Sequence, residues 1–297
     1  MAADDVDAAA AVPGVLDWAW LVGLRRAIHM RPESGFKEVG TRAAIRHALL
    51  TRAGIPLEVL DAHPPMGAPH HAYGYDSSGC STTGMIVDIK GTGPAVSDSE
   101  KRTIMMRADM DGLQMTEENL SLPYRSRIPG FAHMCGHDGH VAALVGAAVL
   151  LNSPAVRRCI PSNSAVRLLF QPAEETPGGA EPMIKDGALE NVDEVYGWHN
   201  WPTAPVGTMM ITDGTIMAHD ADFKIVVKGR GGHGSAPDAC IDPVPCGAAI
   251  VMALQTIVSR RLHSATNAVV SVTSASWNLL VVAPSARKSS WFCLRPR

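Results

Sequence analysis

The chain of 297 residues carries 26 Lys and Arg against 29 Asp and Glu, a formal net charge of −3, with 46% hydrophobic and 19% charged residues. That balance belongs to a globular chain with material for one large or two ordinary domains, and it excludes a disordered polymer, a coiled coil and a polybasic nucleic-acid arm. The six cysteines are scattered along the chain without a dense disulfide framework, which fits a reducing compartment and points to the cytoplasm.

In chain order, the opening MAADDVDAAAAVPG is acidic where an export signal needs a basic leader, so no secretory signal is expected. Charged or Pro residues interrupt every long apolar stretch short of the roughly 20 residues that span a bilayer, so no membrane partner is expected either. Val15–Met30 predicts a helix that stops before Pro32, and Glu38–Ala53 a second one closed by Gly54. Asp61–Thr83, with its Pro, Ser and Gly, reads as a surface loop. Strands are predicted at Gly84–Lys90, Thr103–Ala108, Ala165–Gln171 and Glu194–Trp198, with a small-residue helix at His140–Leu151 and another helix near Ala180–Leu189.

Strand and helix alternate, so the pattern predicts an α/β layer fold whose reactive groups gather beyond the carboxyl ends of strands. Polar clusters fall at those places: Asp109 and Asp111 after one strand, Glu174 and Glu175 after the next, His199 after the third. Beyond Thr212 the character changes and a second domain is expected. Ala221–Lys228 alternates like a half-buried strand, and the turn GRGGHGSAP leads to a helix capped by Asp242, started by Pro243 and running to about Leu262. A strand is predicted at Ala268–Thr273.

The densest chemical signal is His133-Met134-Cys135-Gly136-His137-Asp138-Gly139-His140, which brings a thiol, imidazoles and a carboxylate into one turn at a helix start. Cys and His are preferred zinc ligands and a neighbouring Asp can orient an imidazole, whereas the plainer reading is a buried Cys flanked by loop histidines. Glu174 and Glu175 end an apolar strand. Extended neighbours point to opposite sides, so one can bind a cation while the other takes a proton from water; alone, such a pair is more often a solvated acidic turn. His199, Asp109 and Asp111 carry the same ambiguity taken singly, and gain weight by sitting together at strand ends.

The segments RRAIHMRPESGFKE, RADMDGLQMTEEN, AHMCGHDGHVAALVGAA, LLFQPAEETPGGAEPMIKDGALE, VYGWHNWPTAPVG and GRGGHGSAPDACIDPV, in this order from Leu24 to about Thr273, resemble the M20 metallopeptidases, specifically aminoacylase- and hippurate-hydrolase-like amidohydrolases. The resemblance implies a phosphorylase/hydrolase-like zinc-peptidase catalytic domain over 14–212, a mixed sheet flanked by helices. It also implies an inserted α+β, ferredoxin-like lid and dimerisation domain over 213–273. It implies two divalent metal ions, Zn2+, Mn2+ or Co2+, held by Cys135 as bridging ligand with His137, Glu175 and His199. Glu174 matches the general base, and Asp109, Asp111 and Asp138 fall at acidic positions around the centre. His233 matches the lid histidine that steadies the oxyanion in a partner subunit. The implied substrate is a small N-acyl or N-aroyl amino acid and the implied partner a second copy.

The resemblance stops near Thr273. Residues 274–297, SASWNLLVVAPSARKSSWFCLRPR, form a divergent tail without histidine, whereas the family pattern supplies a further ligating histidine past the lid. The expectation is therefore a lid that is incomplete and a chain shortened at its C-terminus. Its alternative function is that of a catalytically impaired member that binds metal or dimerises only.

Overall fold

A computed structural model describes residues 16–63, 83–175, 178–217, 221, 223–277 and 292–294. Most of the surface loop expected over 61–83 lies outside the described residues, as does Val15. The chain divides into two units, Met1–Gly207 and Thr208–Arg297.

The first unit opens with α1 (Trp18–His29), α2 (Val39–Thr51) and the single turn α3 (Leu57–Leu60). Asp17 starts α1 by accepting the Trp20 N–H, and Gly54 in the left-handed region follows the end of α2. Strands β1 (Met85–Lys90) and β2 (Thr103–Asp109) come next, then α4 (His137–Leu151), the short α5 (Pro154–Arg157), β3 (Ala165–Gln171), α6 (Ala180–Lys185) and β4 (Glu194–Gly197).

These strands form one sheet in the order β1-β3-β2-β4, with β1 antiparallel to β3 and with β2 parallel to both β3 and β4. The three parallel strands thus present their carboxyl ends on one edge, where Asp109 pairs with Gln171. Alternation along the strands sends side chains to two cores. Val87, Ile89, Ala108, Leu168 and Phe170 join Leu21, Ile45, Leu49, Val141 and Val145 of α1, α2 and α4. Ile86, Met105 and Leu169 face Met183 and Ala188, in and after α6. Helices therefore flank the mixed sheet on both faces, as the alternation predicted.

Several boundaries shift from the sequence reading, and two of the shifts have a glycine behind them. α4 begins at His137 and not at His140: Gly136 takes φ 92° and opens the helix a turn earlier, with Asp138 in its first turn. α6 ends at Lys185, because Gly187 turns left-handed at φ 90°.

In the second unit α7 runs Pro243–Thr256, capped by Asp242 through Val244 N–H, and a wider turn Ile257–Arg261 extends it. The strand expected at Ala221–Lys228 is not formed among its described residues, and neither is the one at Ala268–Thr273. Neither stretch finds a ladder partner, and alternation alone does not make a strand. β5 (Ala275–Trp277) instead pairs antiparallel with β6 (Phe292–Leu294). One apolar helix comes near the length of a span, with Arg260 and Arg261 closing it. Pro243–Arg261 makes 19 helical residues of mean hydropathy 1.2, enough by length and composition to cross a bilayer. Pro243 and Pro245 do not interrupt it, since the first helical turn has no bonded N–H to lose.

Candidate metal centre

Three strand ends and one helix start build the site. His137, the first residue of α4, is fully buried. Its Nδ1 lies 3.0 Å from the Asp111 carbonyl and 3.2 Å from Asp111 Oδ1. A carbonyl only accepts, so Nδ1 carries the proton and Nε2 is the free end of the ring. That Nε2 is buried and has no hydrogen-bond partner. Around it stand Asp109 Oδ2 at 3.6 Å, Glu174 Oε2 at 3.8 Å and Glu175 Oε1 at 3.8 Å.

His199, just past β4, is fixed the same way: Nδ1 donates to the Asn200 carbonyl at 2.6 Å, and Nε2 faces Cys135 Sγ at 3.3 Å. Ligand atoms of Cys135, His137 and His199 lie within 4.8 Å of one another, and so do those of His137, Glu174 and Glu175. His140 shares a similar group with Asp109 and His137. Yet its Nδ1 donates to Asp109 at 2.6 Å and its Nε2 accepts the Asn200 N–H at 3.0 Å, so its ring has no lone pair left for a cation.

Backbone geometry makes the gathering possible. Gly136 must be glycine: besides its positive φ, an added Cβ would stand 2.6 Å from Asn200 Oδ1. Ala173 holds φ 51°, unusual for a residue with a Cβ, and this turn throws the following carboxylates off the end of β3. The amides of Glu174 and Glu175 then donate to the two oxygens of Asp111 at 3.1 and 2.9 Å.

The electrostatics ask for a cation. Burial works against a charged His137 ring, but the Asp111 hydrogen bond, the neighbouring Cys135 thiol and the charges of Asp109 and Asp111 prevail and push its pKa up to about 11. Without a metal the imidazolium itself is the cation among the carboxylates. Burial would raise Asp109, but the bond from His140 and the charges of His137 and Arg107 bring it down to about 2. Burial is also the main reason that Glu174 lies above the ordinary carboxylate range. An orphaned, buried imidazole nitrogen facing a thiol, a second imidazole nitrogen and two carboxylates is a donor set that fits a divalent cation.

Of the residues singled out from sequence, Cys135, His137, Glu174, Glu175, His199, Asp109 and Asp111 meet here. Asp138 does not. Its Oδ2 takes Arg25 Nε at 2.6 Å and His29 Nδ1 at 2.9 Å, tying the first turn of α4 to α1. His233 belongs to the second unit, exposed, with Nδ1 2.8 Å from Ser235 Oγ. Sequence reasoning missed Glu38, Arg107 and Asn200 as supports of the site. All three stand in segments that carry the family resemblance, Glu38 ending RRAIHMRPESGFKE and Arg107 opening RADMDGLQMTEEN, and Asn200 also stands beside His199.

Residues 105–285 match the peptidase family M20/M25/M40. The chain belongs to peptidase family M20. It is similar to N-acetylcysteine deacetylase of Bacillus subtilis, 38% identical over 88% of this chain and 62% of that protein. Hippurate hydrolase of Campylobacter jejuni is 36% identical over 84% of this chain and 57% of that protein. A solved Bacillus subtilis protein described as a dinuclear metal binding peptidase from the M20 family superposes with TM-score 0.60 at 30% identity, covering 94% of this chain and 64% of that one. This M20 chain thus spans about three fifths of the length of the curated relatives it matches.

Proposed function

We propose that this M20 chain is a metal-dependent amidohydrolase that cleaves the amide of small N-acyl or N-aroyl amino acids. One observation carries the reading: the buried, unpartnered Nε2 of His137 faces Cys135, His199, Glu174 and Glu175. Cys135, His137, Glu175 and His199 would hold two divalent ions, Zn2+, Mn2+ or Co2+. Such a pair supplies a polarised acyl carbonyl and an acidified water.

The chain's own residues do the rest. Asp111 fixes His137 in the tautomer that leaves Nε2 free, and holds the turn from which both glutamates project. Glu174, more exposed than Glu175 and with its pKa raised by burial, takes the proton of the attacking water and returns it to the leaving amine. His233 supplies a hydrogen bond to the carbonyl oxygen from a partner subunit, the chain pairing with a second copy through its second unit. Cys135, Cys159, Cys240 and Cys246 are free thiols, which supports a reducing, cytoplasmic setting.

The test is turnover of N-acetyl- and N-benzoyl-amino acids by the Zn2+-, Mn2+- or Co2+-loaded chain, with metal content measured alongside. Glu174→Gln should keep the metal and lose turnover by about 10²–10⁴-fold. Glu175→Gln should lose metal. A chain that binds no divalent cation, or one that keeps its rate after Glu174→Gln, overturns the proposal.

A further inference from the structure

Glu38 takes no part in the chemistry above, yet it is completely buried, with 0% exposure, at the start of α2. A carboxylate there has a high desolvation cost and persists only with partners. Its Oε1 accepts the Ala173 N–H at 2.9 Å, and its Oε2 accepts the Thr83 hydroxyl at 2.5 Å. Ala173 is the residue with φ 51°, and the next two amides are those captured by Asp111. Three successive N–H groups, of Ala173, Glu174 and Glu175, are therefore caught by two buried carboxylates. Behind the turn Gly179 closes the mould, for a Cβ there would stand 1.9 Å from the Pro172 carbonyl oxygen.

We propose that Glu38 is a positioning residue for the metal centre: by gripping the Ala173 amide from α2 and bracing on Thr83 at the head of β1, it sets the turn that aims Glu174 and Glu175 at His137. The inference rests on the metal-centre reading above. Asp111 alone cannot set this turn, because both its oxygens are committed one residue further on and a left-handed Ala needs its own restraint. Thr83 belongs to the end of β1 that lies beside the carboxyl ends of β2 and β3, β1 being antiparallel. The brace thus reaches the turn from the edge strand next to β3.

The experiment compares Glu38→Met, which keeps the volume and loses the acceptor, with Glu38→Gln, which keeps an oxygen for Ala173. Each full-length variant is titrated with Co2+. The thiolate-to-cobalt charge-transfer band reports Cys135, and amide hydrogen exchange is followed over residues 171–179. In Glu38→Met, Co2+ affinity should fall about 10–100-fold while the thiolate band persists, since only the glutamate side of the centre is displaced. Exchange in the turn should quicken about tenfold with α4 unchanged. Glu38→Gln should recover most of both losses.

Should Glu38→Met fail to fold, Thr83→Val frees one oxygen of the clamp and gives a smaller shift in the same direction. Co2+ affinity and turn exchange equal to the parent in Glu38→Met, or in Thr83→Val where that variant stands in, overturn the inference while leaving the metal centre intact. A parent chain that takes up no Co2+ overturns the metal-centre reading instead, and turn exchange in Glu38→Met then decides the mould by itself.

Discussion

Asp111 grips His137 twice through one ring nitrogen, its carbonyl at 3.0 Å and its carboxylate at 3.2 Å from Nδ1. The same carboxylate receives the amides of Glu174 and Glu175, so one side chain sets both the tautomer of a ligand and the position of two acids. Asp111→Asn would keep the volume but turn an NH2 group toward one of these N–H donors. Zn2+ affinity should drop about 10–100-fold, measured by calorimetry. An unchanged Kd would mean that the ligands hold their geometry without this hub.

Metal uptake should release protons. Burial opposes a charged His137 ring, but the Asp111 bond, the neighbouring Cys135 thiol and nearby carboxylates hold its pKa up to about 11. The bond to His137 lowers the Cys135 thiol, but burial and the charge of Glu175 leave it above its ordinary value. Both groups are protonated at pH 7 in the metal-free chain and must lose the proton to ligate. Affinity for Zn2+ should then climb by up to about 100-fold per pH unit between pH 6 and 8. Calorimetry in two buffers of different ionisation enthalpy counts the protons, and a count near zero would contradict the assignment.

How much of this was legible in the sequence depends on range. The parallel strands and the polar residues at their ends could be read because alternation and chain order are local, and Cys135, His137, Glu174, Glu175 and His199 do converge. Asp138 could not be sorted from the rest by spacing. It is one residue from His137 but, on a helix, points about 100° away, toward Arg25 and His29 of α1. The role of Glu38 could not be read for a related reason: its partners Thr83 and Ala173 are 45 and 135 residues distant. Strands in the second unit failed as predictions because pairing, which alternation does not encode, decides them.

Burial should make Glu38 pH-sensitive. It raises the carboxyl from 4.5 to about 7, against the pull of the Thr83 and Ala173 bonds. The folded chain thus holds this proton more tightly than the unfolded one. Its contribution to stability is complete below pH 4.5, is lost as pH rises toward 7, and is flat above. The shift corresponds to about 3 kcal/mol. Glu38→Gln removes the titration, so the difference in urea midpoint between variant and parent should widen in the variant's favour from pH 5 to pH 8. A constant difference across that range would place the carboxyl at an ordinary pKa.

Asp88 and Arg167 test whether the sheet depends on charge. They are register partners on β1 and β3, and Arg167 Nε and Nη2 meet the two carboxylate oxygens at 2.8 and 2.9 Å. Arg167 Nη1 also donates to the carbonyls of Ala188 and Glu190, pinning the segment after α6 beneath the sheet. Asp88→Asn would strand a guanidinium that is only 9% exposed, whereas Asp88 itself is 22% exposed and water can partly replace it. The cost should fall at the low end for a broken buried pair, about 3 kcal/mol by urea denaturation. Asp88→Leu combined with Arg167→Met should be less harmful than Asp88→Asn alone, because no buried guanidinium is left unpaired and His63, the other partner of Asp88, is 28% exposed to water. If the double variant were the worse of the two, the carbonyl bonds of Arg167, and not its pairing with Asp88, would be what holds this part of the sheet.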